Sequence, residues 1–375
     1  MKTILVTATE DSTGKTAVAL ALAKLAAERG QSVGYMKPKG TRLQSNVGKT
    51  LDEDPMLARE LLDLDAEMHE LEPVVYSPTF VEQAIRGRED PDELREGVRE
   101  SFEALAADKD LMIVEGGGKL TTGGIVGLTD PEVADLLDAE VLLLSEYGQA
   151  GDVDDVLAAA DDVGDRLLGV LFNAVPDASF DDLDTEVVPF LEGRDVPVLG
   201  VVPREQELAG VTVAALAEEL SAERLTDAPA DAFVERFLVG AMSGDSALRH
   251  LRRTKDAALI TGGDRPDLQR VALEAPGVKC LILTGGFRPP GAVVGKAEEK
   301  GVPILLVQSD TLTTVERAED VVRSGRTRDA ETVEIMRDLL YDHADVAGIL
   351  GDAEADGAER AGDPGSDEET DATDE

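Results

Sequence analysis

Apolar residues along the chain fall into short uninterrupted runs separated by longer amphipathic segments, the pattern of buried strands alternating with helices. The first run, Thr3-Ile4-Leu5-Val6-Thr7, leads through Ala8-Thr9-Glu10-Asp11-Ser12-Thr13 into Gly14-Lys15-Thr16. Ala17 to Arg29 is then rich in Ala and Leu and predicts a helix. Ser32 to Met36 predicts a second strand, stopped by Pro38. Residues 42–110 read as mostly helical, with breaks at Pro55, Pro73, Pro78 and Pro91 and one apolar face carrying Leu57, Leu61, Leu62 and Leu64. Leu111-Met112-Ile113-Val114 predicts a buried strand, and further strands are predicted at 139–145, 167–173 and 197–202. Helices are predicted between and after them, at 131–137, 153–163, 181–191 and 211–220. This alternation specifies an α/β fold with a doubly wound, mostly parallel sheet.

The apolar period lapses over 223–232, around Pro229, which reads as a linker between a first domain at 1–222 and a smaller α/β domain at 233–347. The second domain contains an internal echo. Leu259-Ile260-Thr261-Gly262-Gly263-Asp264-Arg265-Pro266 is followed by Ile282-Leu283-Thr284-Gly285-Gly286-Phe287-Arg288-Pro289, each a strand ending in Thr-Gly-Gly with an arginine beyond. A third strand, Pro303 to Val307, ends at Gln308-Ser309-Asp310. Parallel neighbours would bring these three loops to one edge of the sheet. From 348 to 375 the chain is acidic and without apolar period, so a disordered, solvating tail is expected there.

Hydrophobic residues make up 42% of the 375 residues, enough for two globular cores. The formal net charge of −42, from 78 acidic against 36 basic residues, excludes nucleic acid as a natural partner. Only 11 of the acids lie in the tail from Asp352 to Glu375, so the acidity belongs to the folded surfaces. The composition resembles that of a protein from a salt-accumulating halophile, and a haloarchaeal one is expected. In such salt the self-repulsion is screened within about 3 Å at 1 M. The single cysteine, Cys280, sits in an apolar run and reads as core, and the three histidines, at 69, 250 and 343, are too scattered for a zinc site. No apolar segment resembles a signal peptide or approaches the ~20 residues that span a bilayer, so a cytoplasmic protein without a membrane partner is expected.

The chemistry concentrates at strand ends. A strand, a loop finishing Gly14-Lys15-Thr16 and a helix form a phosphate loop: backbone amides and a lysine meet phosphate oxygens, and a hydroxyl is left for Mg²⁺. Its usual first glycine is replaced by Thr9, with Ala8 before it. Lys37 projects at the carboxyl end of the second strand, where open α/β sheets bind ligands; a solvated surface lysine is the alternative. Asp52 and Asp54, just before a helix, fit either a Mg²⁺ site or an N-cap. Glu115 at its strand end is placed like a Mg²⁺ or water-positioning acid, and Gly116 and Gly117 after it either admit a ligand or form a plain turn. Asn173 suits an adenine edge or a turn equally. In the second domain, Thr261, Gly262, Gly263, Asp264 and Arg265 on one loop and Thr284, Gly285, Gly286 and Arg288 on the next either receive an anionic ligand or merely close turns and pair with acids.

These motifs resemble two known families. Residues 1–220 resemble the dethiobiotin synthetase-like branch of P-loop proteins, through the long phosphate loop, Lys37-Pro38, and Glu115-Gly116-Gly117-Gly118. The rest resembles the DRTGG domain, through Thr261-Gly262-Gly263-Asp264-Arg265-Pro266-Asp267-Leu268-Gln269. The pair in this order is similar to the regulatory N-terminal part of long phosphotransacetylases. The resemblance implies ATP and Mg²⁺ as cofactors. It places Thr13, Gly14, Lys15 and Thr16 on phosphate, Lys15 and Lys37 in catalytic contact with phosphate or substrate oxygens, Thr16, Asp54 and Glu115 around Mg²⁺, and Asn173 near the base.

No acyltransferase domain follows in the sequence, so phosphotransacetylase activity is not expected of this chain. Lys39-Gly40-Thr41-Arg42 departs from the substrate-binding continuation of dethiobiotin synthetases. The expectation is therefore a nucleotide-responsive regulator that binds an anionic metabolite at its second domain and acts on an enzyme of acyl-phosphate metabolism. The alternatives are an ATP-dependent ligase forming a carboxyl or carbamate phosphate, and a binding scaffold that has lost nucleotide. A homo-oligomer is also expected.

Overall fold

A computed structural model describes residues 1–41, 43–46, 49–240, 247, 250–324 and 329–351. The expected tail falls beyond 351, outside the described residues. The first domain is built on a six-stranded sheet of β1 (Lys2–Ala8), β2 (Val33–Met36), β3 (Leu111–Glu115), β4 (Glu140–Ser145), β5 (Leu167–Val175) and β6 (Val198–Pro203), in the order β6-β5-β4-β1-β3-β2. All neighbours are parallel, so every strand delivers its carboxyl end to the same edge. The strands read as continuous apolar runs because both faces are covered, giving two cores on opposite sides of the sheet.

Residues 42–110 are less helical than their pattern predicts: Leu43–Asn46 and Lys49–Asp52 pair as an antiparallel two-stranded ribbon before helix α2 (Glu53–Leu61). The predicted helix at 181–191 is a composite, Asp177–Asp182 and Val188–Glu192 joined through one wider turn over Leu183–Val187.

Helix α1 (Lys15–Glu28) is buried on every side from Lys15 to Leu22, which its run of Ala, Val and Leu permits and which one sheet face cannot account for. The second layer over it comes from far along the chain. Helix α7 (Ala330–His343) lies on α1 and presents Val333, Met336 and Leu340 to the same core, and the short α8 (Val346–Leu350) adds Ile349 and Leu350. Ion pairs Lys24–Glu334 and Arg337–Glu28, the latter at 3.5 Å, flank the contact. The strap between the helices bridges β6 through Ala344 and Gly200. A segment expected within the second domain therefore completes the layer over the first.

The second domain has its own sheet. Its order is β7-β11-β10-β9-β8, with β7 (Glu223–Arg224), β8 (Arg236–Val239), β9 (Ala257–Gly262), β10 (Val278–Thr284) and β11 (Ile304–Leu306). β8 to β11 are parallel and β7 is antiparallel to β11, so part of the expected linker is an edge strand. Helices α4 (Pro266–Ala272), α5 (Gly291–Lys300) and α6 (Thr311–Ser324) follow the three central strands. Helix α3 (Val213–Glu219), expected to close the first unit, packs Val213 and Leu216 against Ile260, Ile282 and Leu305 of this second core. Cys280 is fully buried there, and burial pushes its thiol pKa up, away from reactivity. No helix among the described residues is long and apolar enough to cross a membrane.

Candidate nucleotide site at the sheet edge

The loop 9–14 leaves β1, the strand beside which the sheet order reverses, and feeds the amino end of α1. Thr9 N donates back to Leu144 O at 3.1 Å, fixing the start of the loop to β4. Ser12 (φ 62°) and Gly14 (φ 89°) turn through the left-handed region, so the backbone ahead of α1 curls in the manner of a phosphate-loop nest. Gly14 is required twice over, because a Cβ there would also come within 2.6 Å of Asn173 Nδ2. Asn173, at the end of β5, donates from that nitrogen to Thr13 O at 2.8 Å. It braces the loop and also lines the cavity beyond it.

Lys15 is 8% exposed, and among the described residues its ammonium has no hydrogen-bond or ion-pair partner. Burial lowers its pKa, against the attraction of Asp130, Glu115 and Asp11. An enclosed cation at an amide nest is the arrangement that accepts a polyphosphate.

Around it the strand ends assemble a buried polar cluster. Thr16 Oγ1 donates to Glu115 Oε1 at 2.7 Å, and Tyr35 OH donates to Glu115 Oε2 at 2.7 Å. Lys37 Nζ pairs with Asp54, lies 2.9 Å from Asp52 Oδ2 and 3.6 Å from Glu115 Oε1. Burial alone would lower the Lys37 pKa, but Asp54, Glu115 and Asp52 outweigh it and hold the ammonium charged. Burial lifts Glu115 to about 7 despite Lys37, and Tyr35, buried beside Glu115, stays protonated. Asp52 serves as the N-cap of α2, accepting from Asp54 N at 3.0 Å, and this aims Asp54 at Lys37.

Lys15, Thr16, Lys37, Asp54, Glu115 and Gly116 line one cleft of about 380 Å³, which Thr41, Tyr76 and Thr122 also line. Of the predicted first-domain residues, Gly14, Lys15, Thr16, Lys37, Asp54, Glu115 and Gly116 thus share one cleft, while Thr13 and Asn173 border the neighbouring cavity. Gly116 and Gly117 have a second reason to be glycine: a Cβ would strike Asp130 at 2.2 Å and the Lys39 carbonyl at 2.3 Å. Lys39 and Asp130, a buried ion pair with Thr7 donating to Asp130, hold that turn from behind. Among the described residues no group of three or more His, Cys, Asp or Glu is arranged as a metal centre. Mg²⁺ needs no such cage, since it takes one or two carboxylates and fills its shell with water and phosphate. The hard oxygens of Thr16 and Glu115, side by side on the cleft wall with Asp54 nearby, fit that use.

Sequence reasoning missed Tyr35, Lys39, Glu72 and Asp130. Glu72 is buried, accepts from Asp52 N at 3.2 Å through one oxygen and leaves the other without a partner among the described residues. Burial, then the charges of Asp52 and Asp54, raise its pKa to about 7. A folded pKa above the unfolded one makes the native state hold more protons, so this group favours folding at low pH and loses that contribution as pH rises through about 7. Glu72→Gln is therefore expected to raise the melting temperature at pH 8 and leave it little changed at pH 5, measured by thermal unfolding. An equal shift at both pH values would remove Glu72 titration as the cause.

On the second domain the three predicted loops do share the carboxyl edge. Their amides, however, bond one another: Gly263 N donates to Thr284 O (3.3 Å), Gly285 N to Ser309 O (2.8 Å) and Gly286 N to Val307 O (2.9 Å). Gln269, buried on α4, donates to the carbonyls of Gly262 and Gly263 at 3.0 and 3.1 Å. Arg265 lies 3.4 Å from Asp267, and Arg288 pairs with Glu223. Thr261 Oγ1 is buried without a partner among the described residues, and Thr284 shares a hydrogen bond with Thr311 at 2.9 Å. The predicted glycine amides are thus engaged within the loops and the two threonines are buried, so what this edge presents outward is Asp264 and two arginines, each facing an acid.

A parallel sheet reversing at β1, with a glycine-lysine-threonine nest at its carboxyl edge, defines a P-loop protein, here fused to a smaller α/β domain. Comparison with known proteins agrees. The chain belongs to the AAA domain family, whose model matches residues 2–212, and the DRTGG domain model matches residues 215–321. It is 27% identical over 369 residues to a phosphate acetyltransferase of Pseudomonas putida, covering 92% of this chain and 51% of the relative. The chain thus spans about half the length of that relative. It is 37% identical over 150 residues to an ATP-dependent dethiobiotin synthetase of a Parafrankia species, covering 40% of this chain and 60% of the relative. The CBS and DRTGG domains of the regulatory region of Clostridium perfringens pyrophosphatase, complexed with the activator diadenosine tetraphosphate, match at 16% identity. That match covers 38% of this chain and 73% of the other, with a TM-score of 0.27.

Proposed function

We propose that the first domain binds ATP with Mg²⁺ and that the second senses an anionic ligand, so that the chain is a nucleotide-responsive regulator in acetyl-phosphate and acetyl-CoA metabolism. The observation that carries the nucleotide assignment is Lys15, enclosed and without a partner among the described residues, beside the amide nest of Ser12 to Gly14. Thr16 and Glu115 would hold Mg²⁺, with Asp54 beyond them, and the ion would neutralise phosphate charge. Thr13, Gly14 and Lys15 would cradle the phosphates and Asn173 would sit beside the base. Similarity to a phosphate acetyltransferase along 92% of this chain supports the metabolic setting. The shared edge carrying Thr261, Thr284, Arg265 and Arg288 supports an anion as the second ligand.

A second proposal, an ATP-dependent ligase, is favoured by the cleft itself. It continues past the phosphate loop to Thr41, Tyr76 and Thr122, leaving room for a substrate whose developing phosphate would lie between Lys15 and Lys37. Release of ADP separates the two. A regulator binds Mg-ATP in molar KCl without turnover that depends on a second small molecule, whereas ADP release dependent on an added carboxylic acid, or on an amine with bicarbonate, overturns the regulator in favour of the ligase.

A further inference from the structure

The phosphate loop has a different neighbour on each side. Towards β3 lies the charged cleft with Lys37, Asp54 and Glu115. Towards β5 and β6 lies a second cavity that Ser12, Thr13 and Gly14 also border but that none of those three charged groups enters. Its walls include Asn173, Arg204, Leu208, the acids Glu146 and Glu205 and, from across the chain, Met336 on α7. A nucleotide whose phosphates lie on the loop has its metal and phosphoryl chemistry on the side of Lys37, Asp54 and Glu115, which leaves this cavity for the base, with the Asn173 amide and polar acceptors at Glu146 and Glu205 beside an apolar wall.

Met336 reaches it by an indirect route. The chain leaves the first domain after β6, along residues 204–210, builds the second domain, and returns as α7. Arg204 and Leu208 on the outgoing crossing and Met336 after the return border the same cavity. Arg204 is ion-paired to Glu235 of the second domain, and Gly210 packs against the Val234 carbonyl. Met336 is 2% exposed and belongs to the core shared by α1 and α7, so its side chain is held at the cavity wall. A thioether is suited to lie against an aromatic ring, being flexible and polarizable.

We propose that Met336, on the helix that follows the second domain, forms the apolar wall against the nucleobase and is a specificity-determining residue of the nucleotide site. The assignment rests on the Mg-ATP proposal. Its consequence is that the base meets chain from both crossings between the domains, so recognition of the base depends on how the second domain is tethered.

The test compares Mg-ATP with inorganic tripolyphosphate, which carries the phosphates and no base, by equilibrium dialysis against the full chain in molar KCl. The wild type is expected to bind ATP the more tightly. Met336→Ala should cut that preference about tenfold, the upper range for a thioether on an aromatic ring, with tripolyphosphate binding unchanged, and Met336→Leu should restore most of it. A preference unchanged in Met336→Ala, including an equal loss of both ligands, overturns the role of Met336 and leaves the nucleotide proposal standing. Absence of binding of either ligand to the wild type overturns both. Methyl-¹³C methionine spectra of the wild type give a readout free of folding effects. The resonance that Met336→Leu deletes should shift with Mg-ATP and not with tripolyphosphate, and a resonance indifferent to Mg-ATP contradicts the proposal.

Discussion

Lys15→Ala is expected to weaken Mg-ATP binding by at least about a hundredfold, since a charge-assisted hydrogen bond is worth about 1.5–3 kcal/mol and the lysine spans more than one phosphate oxygen. The same change should leave the melting temperature of the ligand-free protein level or slightly raised. Lys15 is enclosed and has no partner among the described residues, and burial already lowers its pKa, so its removal relieves desolvation more than it breaks contacts. Calorimetry for affinity and thermal unfolding for stability separate the two effects. A variant that still binds Mg-ATP like the wild type would show that the nest does not receive the phosphates. One that melts far lower would show that Lys15 is a structural cation.

Lys37→Met is expected to do the reverse and destabilise the ligand-free fold by about 3–5 kcal/mol, the usual cost of leaving buried charge without its counter-ion. Lys37 is 1% exposed and stands among Asp52, Asp54 and Glu115, all of them buried. Without its ammonium the carboxylates repel one another in a medium that solvates them poorly, and Glu115, which burial already lifts to about 7, sheds its charge by taking up a proton. The deficit should therefore shrink as pH falls from 8 towards 5, because the variant's native state then binds more protons than its unfolded state. Urea unfolding at both pH values measures this. Wild-type stability at pH 8 would mean that the cluster is solvated or paired otherwise, and a deficit that grows towards pH 5 would reverse the assigned charge state.

How much of this was legible in the sequence depends on whether the deciding contact is local. The strand, loop and helix from Thr3 to Arg29 are a continuous stretch, so residue order alone carries the nest, and Leu111 to Gly118 likewise declares a strand that ends at a site. The repeated Thr-Gly-Gly placed two loops at one sheet edge because neighbouring parallel strands end on the same side, although Gly262 rather than Thr261 pairs with Thr284, so the two motifs are offset by one residue. What the echo did not reveal is that the glycine amides bond to the neighbouring loops.

Tyr35 against Glu115, Lys39 against Asp130 and Glu72 against Asp52 join residues 80, 91 and 20 positions apart, and nothing in a single sequence marks those pairings. The return of α7 is a different case. Its apolar face at Val333, Met336 and Leu340 needs a partner, but its place in the chain, within 233–347, puts it with the second domain. The clue lay at the other end of the chain, where Ala17 to Leu22 has no polar position at all. A helix of that kind has to be covered from outside as well as by its sheet.

The central claim, that the first domain is a Mg-ATP site, is tested most directly by titrating the full chain with ATP in molar KCl, with and without Mg²⁺, by calorimetry. The account predicts one saturable site per chain that is lost or greatly weakened when Mg²⁺ is withheld. Absence of saturable binding with Mg²⁺ present would contradict it.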